Sequence, residues 1–504
     1  MARKAKSAAR PAKRKASAKR AVPARRKAFV GEQATVVAAT AAPATRVRIR
    51  MYRLGVGDCF LLAFPRDGQE DFRILIDCGV HQAQEKGNER LKQVVDDLHL
   101  VTKGKIDVVI GTHEHQDHLS GFPALLEKFT DMPAAGEIWV AWTENENDPL
   151  ANDLRGTKDR ALTTLSGARM RMKLAGATGE EEKLSSVLGF FGDGSGPRLR
   201  KFGAALKQLS STIKYREPGE DPIELLDGQA RVFVLGPPRD ARLIGQSAPS
   251  KSGDQVYSDT ALKFGAYTEL LDEIAPAFDR EPMAPFDDRF ALSLEGTKAL
   301  PFFKQRYWAD TNDENLQERT DTTQDWRRID NDWLGSATTL ALKLNEDTNN
   351  TSLVLAFELG PKDKDGPVLL FAADAQVGNW LSWQNLEWNY GGRRITGPDL
   401  IKRTVLYKVG HHASHNATLK KLGLEMMAAL ELALVPTDAE MARRVKWGTL
   451  PWPPLLEALA DKAKHGVVRT DETFVAKTPD SGKPSSIKVT QEELYYEVEY
   501  ELKV

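Results

Sequence analysis

Residues 106 to 118 read Ile106-Asp107-Val108-Val109-Ile110-Gly111-Thr112-His113-Glu114-His115-Gln116-Asp117-His118. An apolar run of strand length ends at a glycine and releases a segment crowded with imidazoles and carboxylates. Open α/β sheets place their sites at the carboxyl ends of strands, so this junction marks a functional edge. In an extended loop, His113 and His115 at i and i+2 point the same way and can pinch one cation. Asp117 and His118 at i+4 and i+5 turn toward a second position. Neutral imidazoles with a carboxylate are a donor set for Zn²⁺ or a similar borderline metal.

Upstream, Val47 to Leu54 alternates apolar and polar in the period of a half-buried strand. Cys59 to Phe64 and Ile74 to Ile76 are short apolar runs bounded by turn residues, and Leu91 to Leu100 carries helical spacing. Downstream, Ala230 to Leu235 is a strand closed by Gly236-Pro237-Pro238. Leu353 to Leu359 and Val368 to Phe371 form a hairpin, and Val405 to Val409 is a further buried strand. Strands alternating with helices make this an α/β chain. The stretches at about 144–210 and 240–339 are charged, helical and irregular, and read as insertions into one core fold. No internal repeat is visible.

Asp374 ends the apolar run Val368 to Ala373, and a carboxylate with two oxygens suits a bridging position between two ions. The competing reading is a cap on a following helix. A second histidine group, Gly410-His411-His412-Ala413-Ser414-His415, follows the strand Val405 to Val409 and repeats the strand-then-ligand arrangement. His81, His99 and His465 stand alone and read as surface or satisfied core residues. Trp380, Trp383 and Trp388 read as packing rather than as a substrate groove.

These segments together resemble the metallo-β-lactamase-fold hydrolases. The resemblance rests on Leu54 to Leu62 with Leu75-Ile76-Asp77-Cys78-Gly79, on His113 to His118, on Asn349 to Leu355 with Ala372-Ala373-Asp374-Ala375, and on Lys408-Val409-Gly410-His411-His412-Ala413-Ser414. The last is similar to a motif in the hydrolase domain of the bacterial DNA-uptake (competence) channel protein. The resemblance implies a four-layer αβ/βα sandwich with two divalent ions, Zn²⁺ first and Mn²⁺ as the alternative, about 3.5 to 4 Å apart. His113 and His115 would hold the first ion, Asp117 and His118 the second, and Asp374 would bridge. His412 would complete the second site and His411 would meet developing negative charge, with the order of that pair left open. Asp77 would orient a ligand histidine. Asp117 or His411 would shuttle the proton, and His415 is an added proton carrier. The third histidine many members place on the first ion is replaced by Asn349 or Asn350, as in the DNA-uptake branch, which argues against a standard β-lactamase.

The chain has 504 residues, with 70 Lys+Arg against 71 Asp+Glu and a formal net charge of -1. Near-neutrality hides an asymmetry: residues 1 to 30 hold twelve basic side chains and no acidic one, leaving 58 basic against 71 acidic over the other 474 residues. Residues 1–45 are Ala/Lys/Arg/Pro-rich and read as a disordered arm, with 46–504 as the hydrolase domain. Such an arm suits nucleic acid, since neutralising phosphates releases counterions whatever the base sequence. The two cysteines, Cys59 and Cys78, exclude a disulfide scaffold and read as buried thiols. No apolar run approaches a membrane span, and no secretory h-region is present, so the expected compartment is the cytoplasm.

The functional expectation is a metal-dependent hydrolase acting on a phosphodiester, with nucleic acid as the candidate polymer. Other ester, lactone or thioester hydrolysis is the alternative within that class. A nucleic-acid-associated interaction protein with a structural or vestigial metal site is the alternative outside it.

Overall fold

The period-two pattern of Val47-Arg48-Ile49-Arg50-Met51 does what a pleated strand requires: Val47, Ile49 and Met51 are buried in the central core while the arginines between them reach the acidic side chains of neighbouring elements. The computed structural model describes residues 46–174, 178–192, 197–247, 300–303, 332–477 and 486–502. The basic arm at 1–45 and most of the stretch 240–339 therefore lie outside the described residues.

The strands are β1 (Arg46–Tyr52), β2 (Phe60–Phe64), β3 (Phe72–Ile76), β4 (Ile106–Gly111), β5 (Ala135–Ala141), β6 (Ile213–Arg216), β7 (Ile223–Leu225), β8 (Ala230–Gly236), β9 (Val354–Leu359), β10 (Val368–Phe371), β11 (Glu387–Tyr390), β12 (Arg393–Thr396), β13 (Thr404–Lys408), β14 (Leu432–Val435), β15 (Gly466–Arg469), β16 (Ile487–Gln491) and β17 (Tyr495–Glu501). They form an eight-stranded sheet in the order β16-β17-β1-β2-β3-β4-β5-β6 and a seven-stranded sheet in the order β15-β14-β13-β10-β9-β8-β7. β11 and β12 make a separate hairpin around Gly391-Gly392, both at positive φ as a tight hairpin turn requires.

Alternate residues of the strands divide between layers. Phe60, Leu62 and Phe64 of β2, Leu355 and Phe357 of β9, and Leu369 and Phe371 of β10 meet in one core between the two sheets. Val354 and Ala356 of β9 and Val368 and Leu370 of β10 face the opposite way. There they pack with Trp380, Trp383 and Trp388 beneath helices Val377–Trp383, Gly397–Lys402 and Pro453–Lys462. On the far side of the first sheet lie α1 (Gly87–Thr102), the single turn α2 (Gln116–Leu119), α3 (Phe122–Lys128) and α6 (Pro197–Gln208). Helices, sheet, sheet, helices: this is the four-layer αβ/βα sandwich.

α1 shows why the outer layer docks. Leu91, Val94, Val95, Leu98 and Thr102 recur at helical spacing and are buried. Lys103, in the left-handed region at φ 54°, ends the helix by donating its N–H to the His99 carbonyl. Each fully buried Leu, Ile or Val contributes roughly 1.5 to 3 kcal/mol, so the three cores make a stiff frame for the loops at its edge.

Between β5 and β6 run α4 (Pro149–Leu174), α5 (Thr178–Leu188) and α6. α4 and α5 pack with helix Asp332–Asn349, around Leu162, Leu165, Met172, Leu184, Leu188 and Leu340. The two stretches read as insertions thus share a small core. That helix continues to Asn349, past the boundary at 339, so Asn349 sits at a helix end rather than on a hairpin arm. Among the described residues no helix is long and apolar enough to cross a membrane.

Candidate metal centre

Four strand ends converge. β3 and β4 are parallel neighbours in the first sheet, and β10 and β13 are parallel neighbours in the second. Their carboxyl ends deliver Asp77, the segment 113–118, Asp374 and the pair His411-His412. The segment 113–118 is not wholly extended. His115 is the last extended residue, at ψ 151°, and Asp117 and His118 lie on the turn α2. That turn separates the second pair of donors from the first more sharply than a straight loop would.

The loop is fastened through backbone. Asp58 N donates to Asp117 O at 3.0 Å, Cys78 N to His118 O at 2.8 Å, and Gly121 N to Cys78 O at 2.7 Å. Gly79 permits this approach, since a Cβ there would lie 2.4 Å from the Asp117 carbonyl carbon. Cys59 and Cys78 behind it are buried free thiols.

Asp117, His118, Asp374 and His412 form one group of donors and His113, His115 and Asp374 another, each within 4.8 Å and all buried. Asp374 belongs to both. Its Oδ2 lies 3.8 Å from His113 Nε2, 3.2 Å from His118 Nε2 and 3.7 Å from His412 Nε2. His412 Nε2 is also 3.0 Å from Asp117 Oδ2, and His113 Nε2 is 3.0 Å from His115 Nδ1. The cap reading of Asp374 fails, because the following helix is preceded by Gln376 at its N-cap.

The residues fit metal ions by a simple account of their polar atoms. His115 Nε2, Asp117 Oδ1, His118 Nε2 and Asp374 Oδ1 are buried without a hydrogen-bond partner. Burying one such group costs about 1 to 3 kcal/mol, and more when it is charged. Four in one place call for cations. The donor chemistry agrees. Burial holds His113 well below the usual histidine range and pushes His115 down to about 3, so both are neutral donors. Burial also opposes charge on His118 and His412, yet Asp374 and the carboxylates near it raise both. The centre attracts positive charge. A third group, Asp58, Asp77 and His118, also has metal-ligand spacing. Both Asp77 oxygens and Asp58 Oδ2 already have partners in the chain, described next, whereas Asp58 Oδ1 has none.

Asp77 Oδ2 accepts from His118 Nδ1 at 2.8 Å and from Thr112 Oγ1 at 2.7 Å, while its Oδ1 accepts from Thr112 N at 2.8 Å. This fixes the His118 ring with Nε2 toward Asp374. His412 Nδ1 donates to Pro436 O at 2.9 Å, which likewise turns its Nε2 inward. Lys408, not singled out from the sequence as a site residue, is buried. Its Nζ pairs with Asp58, donates to Ala373 O at 2.8 Å and lies 3.7 Å from Asp374 Oδ1. The signal was available: a lone lysine in an apolar strand needs a buried anion. Strain gathers here too. Asp77, Ala373, His411, His412 and Ala413 all have positive φ between 40° and 60°.

His411 and His415 lie outside the donor groups. His411 has both ring nitrogens occupied, with Ser414 Oγ at 2.7 Å from Nδ1 and Asn349 Nδ2 at 3.1 Å from Nε2. Burial keeps it neutral, with a pKa near 4. His415 is half-buried, edge-on to Trp452. Of the two asparagines, Asn349 is the one that faces the site. Asn350 instead donates to the carbonyls of Ile244 and Gln246 and accepts from Gln376 N. Among the single histidines, His99 packs edge-on to Phe129 and His465 lies 3.8 Å from Glu431. His81 is buried between Phe190 and Trp447, with an unpartnered Nε2.

No curated protein and no solved structure matches the chain. A family model described as the Metallo-beta-lactamase superfamily matches residues 52–183. That segment holds Asp58, Asp77, His113, His115, Asp117 and His118 and stops before Asp374 and His412, which enter the centre by geometry alone. This match, with the buried His/Asp cluster, supports a metal-dependent hydrolase.

Proposed function

We propose that the protein hydrolyses a phosphodiester at a centre of two divalent ions, with Zn²⁺ as the first choice and Mn²⁺ as the alternative. The observation that carries this reading is Asp374 shared between two groups of buried donors, in which four inward-facing atoms lack partners. His113, His115 and Asp374 would hold one ion, and Asp117, His118, Asp374 and His412 the other. Bound there, the ions would supply Lewis acidity toward the scissile group and make a water acidic enough to attack near neutral pH. The chain's own residues prepare the site. Asp77 and Pro436 O aim the imidazoles of His118 and His412, and Lys408 balances the carboxylates. Asp117 Oδ1, buried and unpartnered, is placed to accept a proton. His411 holds its neutral ring between Ser414 and Asn349, and His415 stands in the adjoining cleft as a proton carrier.

The choice of a phosphodiester is supported by the resemblance of Lys408 to Ser414 to the DNA-uptake branch, and the twelve cationic side chains of residues 1 to 30 support contact with nucleic acid. Metal analysis of the purified protein with assays on bis-p-nitrophenyl phosphate and DNA tests the proposal. Two ions per chain and turnover are expected, with Asp374→Asn and Asp117→Ala each lowering kcat/KM by about 10³-fold or more. Two bound ions with no turnover on any ester would favour the interaction protein instead. Deleting residues 2 to 30 is expected to weaken DNA binding at low salt and to flatten its salt dependence.

A further inference from the structure

A cleft of about 410 Å³ opens beside the candidate centre, with His411, His412 and His415 on one side. Its other side is foreign to the sandwich. Val187 and Phe190 come from α5 and the turn after it, Leu342 from helix Asp332–Asn349, and Trp447 from the loop before Pro453–Lys462. Phe190 stacks on Trp447 with centroids 4.8 Å apart and planes 28° from parallel. The Phe190 ring lies 5.5 Å from the His115 ring, so this apolar wall begins at the donor cluster itself.

The wall is braced rather than loose. His81 packs against both rings at 4.6 and 4.8 Å, and Trp447 Nε1 donates to Ser186 Oγ at 2.6 Å. Phe190, Leu340 and Trp447 belong to the same small core as α4 and α5. Volumes of about 300 to 1,000 Å³ with apolar walls and a few convergent polar groups are typical of small-molecule sites. A cleft of this size does not admit a duplex, so DNA would be turned over there only as a single strand or a frayed end, with a base against the aromatic wall.

We infer that the substrate is a compact diester in which the group retained after cleavage is planar or apolar and lies against Phe190 and Trp447, while the scissile bond faces Asp117, Asp374 and His412. This deepens the hydrolase reading and rests on it. Hydrolysis breaks one P–O bond: water supplies the new P–OH oxygen, and the leaving alcohol carries off the other proton.

The test holds the leaving group constant. Phenyl p-nitrophenyl phosphate and methyl p-nitrophenyl phosphate differ only in the retained group, and the wild type is expected to prefer the phenyl ester in kcat/KM by about tenfold or more. Trp447→Ala should bring the ratio to about twofold, mainly through KM, and Trp447→Phe should restore most of it. Leu342 is 43% exposed, so Leu342→Glu tests the wall with little risk to folding and should also abolish the preference. Equal rates for the two esters in the wild type, or an unchanged ratio in both Trp447→Ala and Leu342→Glu, would overturn the inference. If neither ester is hydrolysed, the hydrolase reading fails first, and calorimetry then decides the cleft. Phenylphosphonate binding at least tenfold tighter than methylphosphonate, lost in Leu342→Glu, upholds the apolar subsite, and equal binding removes it.

Discussion

Among the described residues two clusters of buried charge stand out, and they are built on opposite terms. Glu358 of β9 sits among Arg231, Arg393 and Arg403 with both oxygens used. Oε1 accepts from Gly366 N at 3.1 Å and from Arg393 and Arg403, and Oε2 accepts from Arg231 and from Arg393 Nη2 at 3.1 Å. Arg231 spends further nitrogens on the carbonyls of Gly360 and Pro361. Only Arg403 Nε and Nη2 lack partners there. At the candidate centre the carboxylates outnumber their permanent cation, Lys408, and donor atoms of four residues point inward without partners. In the first cluster the carboxylate is fully satisfied as folded. The second is complete only with something added, and that difference separates a structural ion network from a site.

The largest stability effect should therefore come from the first cluster. Glu358→Ala leaves three guanidinium groups facing one another and should lower unfolding free energy by about 3 to 5 kcal/mol, read by denaturant titration. Asp117→Asn removes one of several carboxylates that repel each other, and should leave the metal-free protein within about 1 kcal/mol of wild type. Reversed magnitudes would break the comparison.

Acid provides the next test. Burial opposes charge on Glu358, but Arg393, Arg231 and Arg403 hold its pKa down to about 2 against an ordinary value of 4.5. A depressed folded-state pKa contributes stability that is whole above pH 4.5 and is lost as pH falls toward 2. The shift is worth about 3 kcal/mol. Stability of the wild type should fall across that window, and the fall should be shallower in Glu358→Gln. Parallel acid profiles for the two proteins would remove the arginines as its cause.

Metal addition should act on the second cluster alone. A ligand bound only to the folded state at a hundred times its Kd adds about 2.7 kcal/mol. Zn²⁺ or Mn²⁺ should raise the melting temperature of wild type and of Glu358→Gln alike, and chelator should reverse the gain. The shift should shrink in Asp374→Asn, which alters the residue common to both donor groups. An equal shift in that variant would place the ions elsewhere.

Both clusters leave the same mark in the sequence: a charged residue inside an apolar strand, Arg231 in β8, Glu358 in β9 and Lys408 in β13. The mark says that a partner exists and does not name it, because the partners come from other strands and loops. The histidines 113, 115 and 118 were legible because one segment carries them in a spacing that means little except ligation. Strand periodicity made the α/β class legible, and the four-layer sandwich followed from the family resemblance that the motif carries. Asp58 was not legible, since its tie to Lys408 depends on the second sheet lying over the first. The cleft was hidden for a related reason. Phe190, Leu342 and Trp447 come from three separate stretches, one of them read as an insertion, and nothing local tells a lining side chain from a packed one. Trp380, Trp383 and Trp388 are in the core, while the tryptophan on the cleft wall is Trp447.

The smallest effect tests strain. None of the four charged residues of the Glu358 cluster has positive φ, whereas five residues of the site do. Ala413, at φ 60° and fully buried, stands where the resembling motif has glycine. A left-handed alanine costs about 1 to 2 kcal/mol. Glycine would relieve this, but it gives up a buried methyl worth about 0.8 kcal/mol and adds about 0.5 to 1 kcal/mol of unfolded-chain entropy. These contributions nearly cancel. Ala413→Gly should stay within about 1 kcal/mol of wild type in stability and keep its metal-induced shift in melting temperature. Loss of that shift would mean that the alanine methyl, buried in the outer core beside this loop, holds the ligand in place, and the strain would then belong to the site's function rather than merely accompany it.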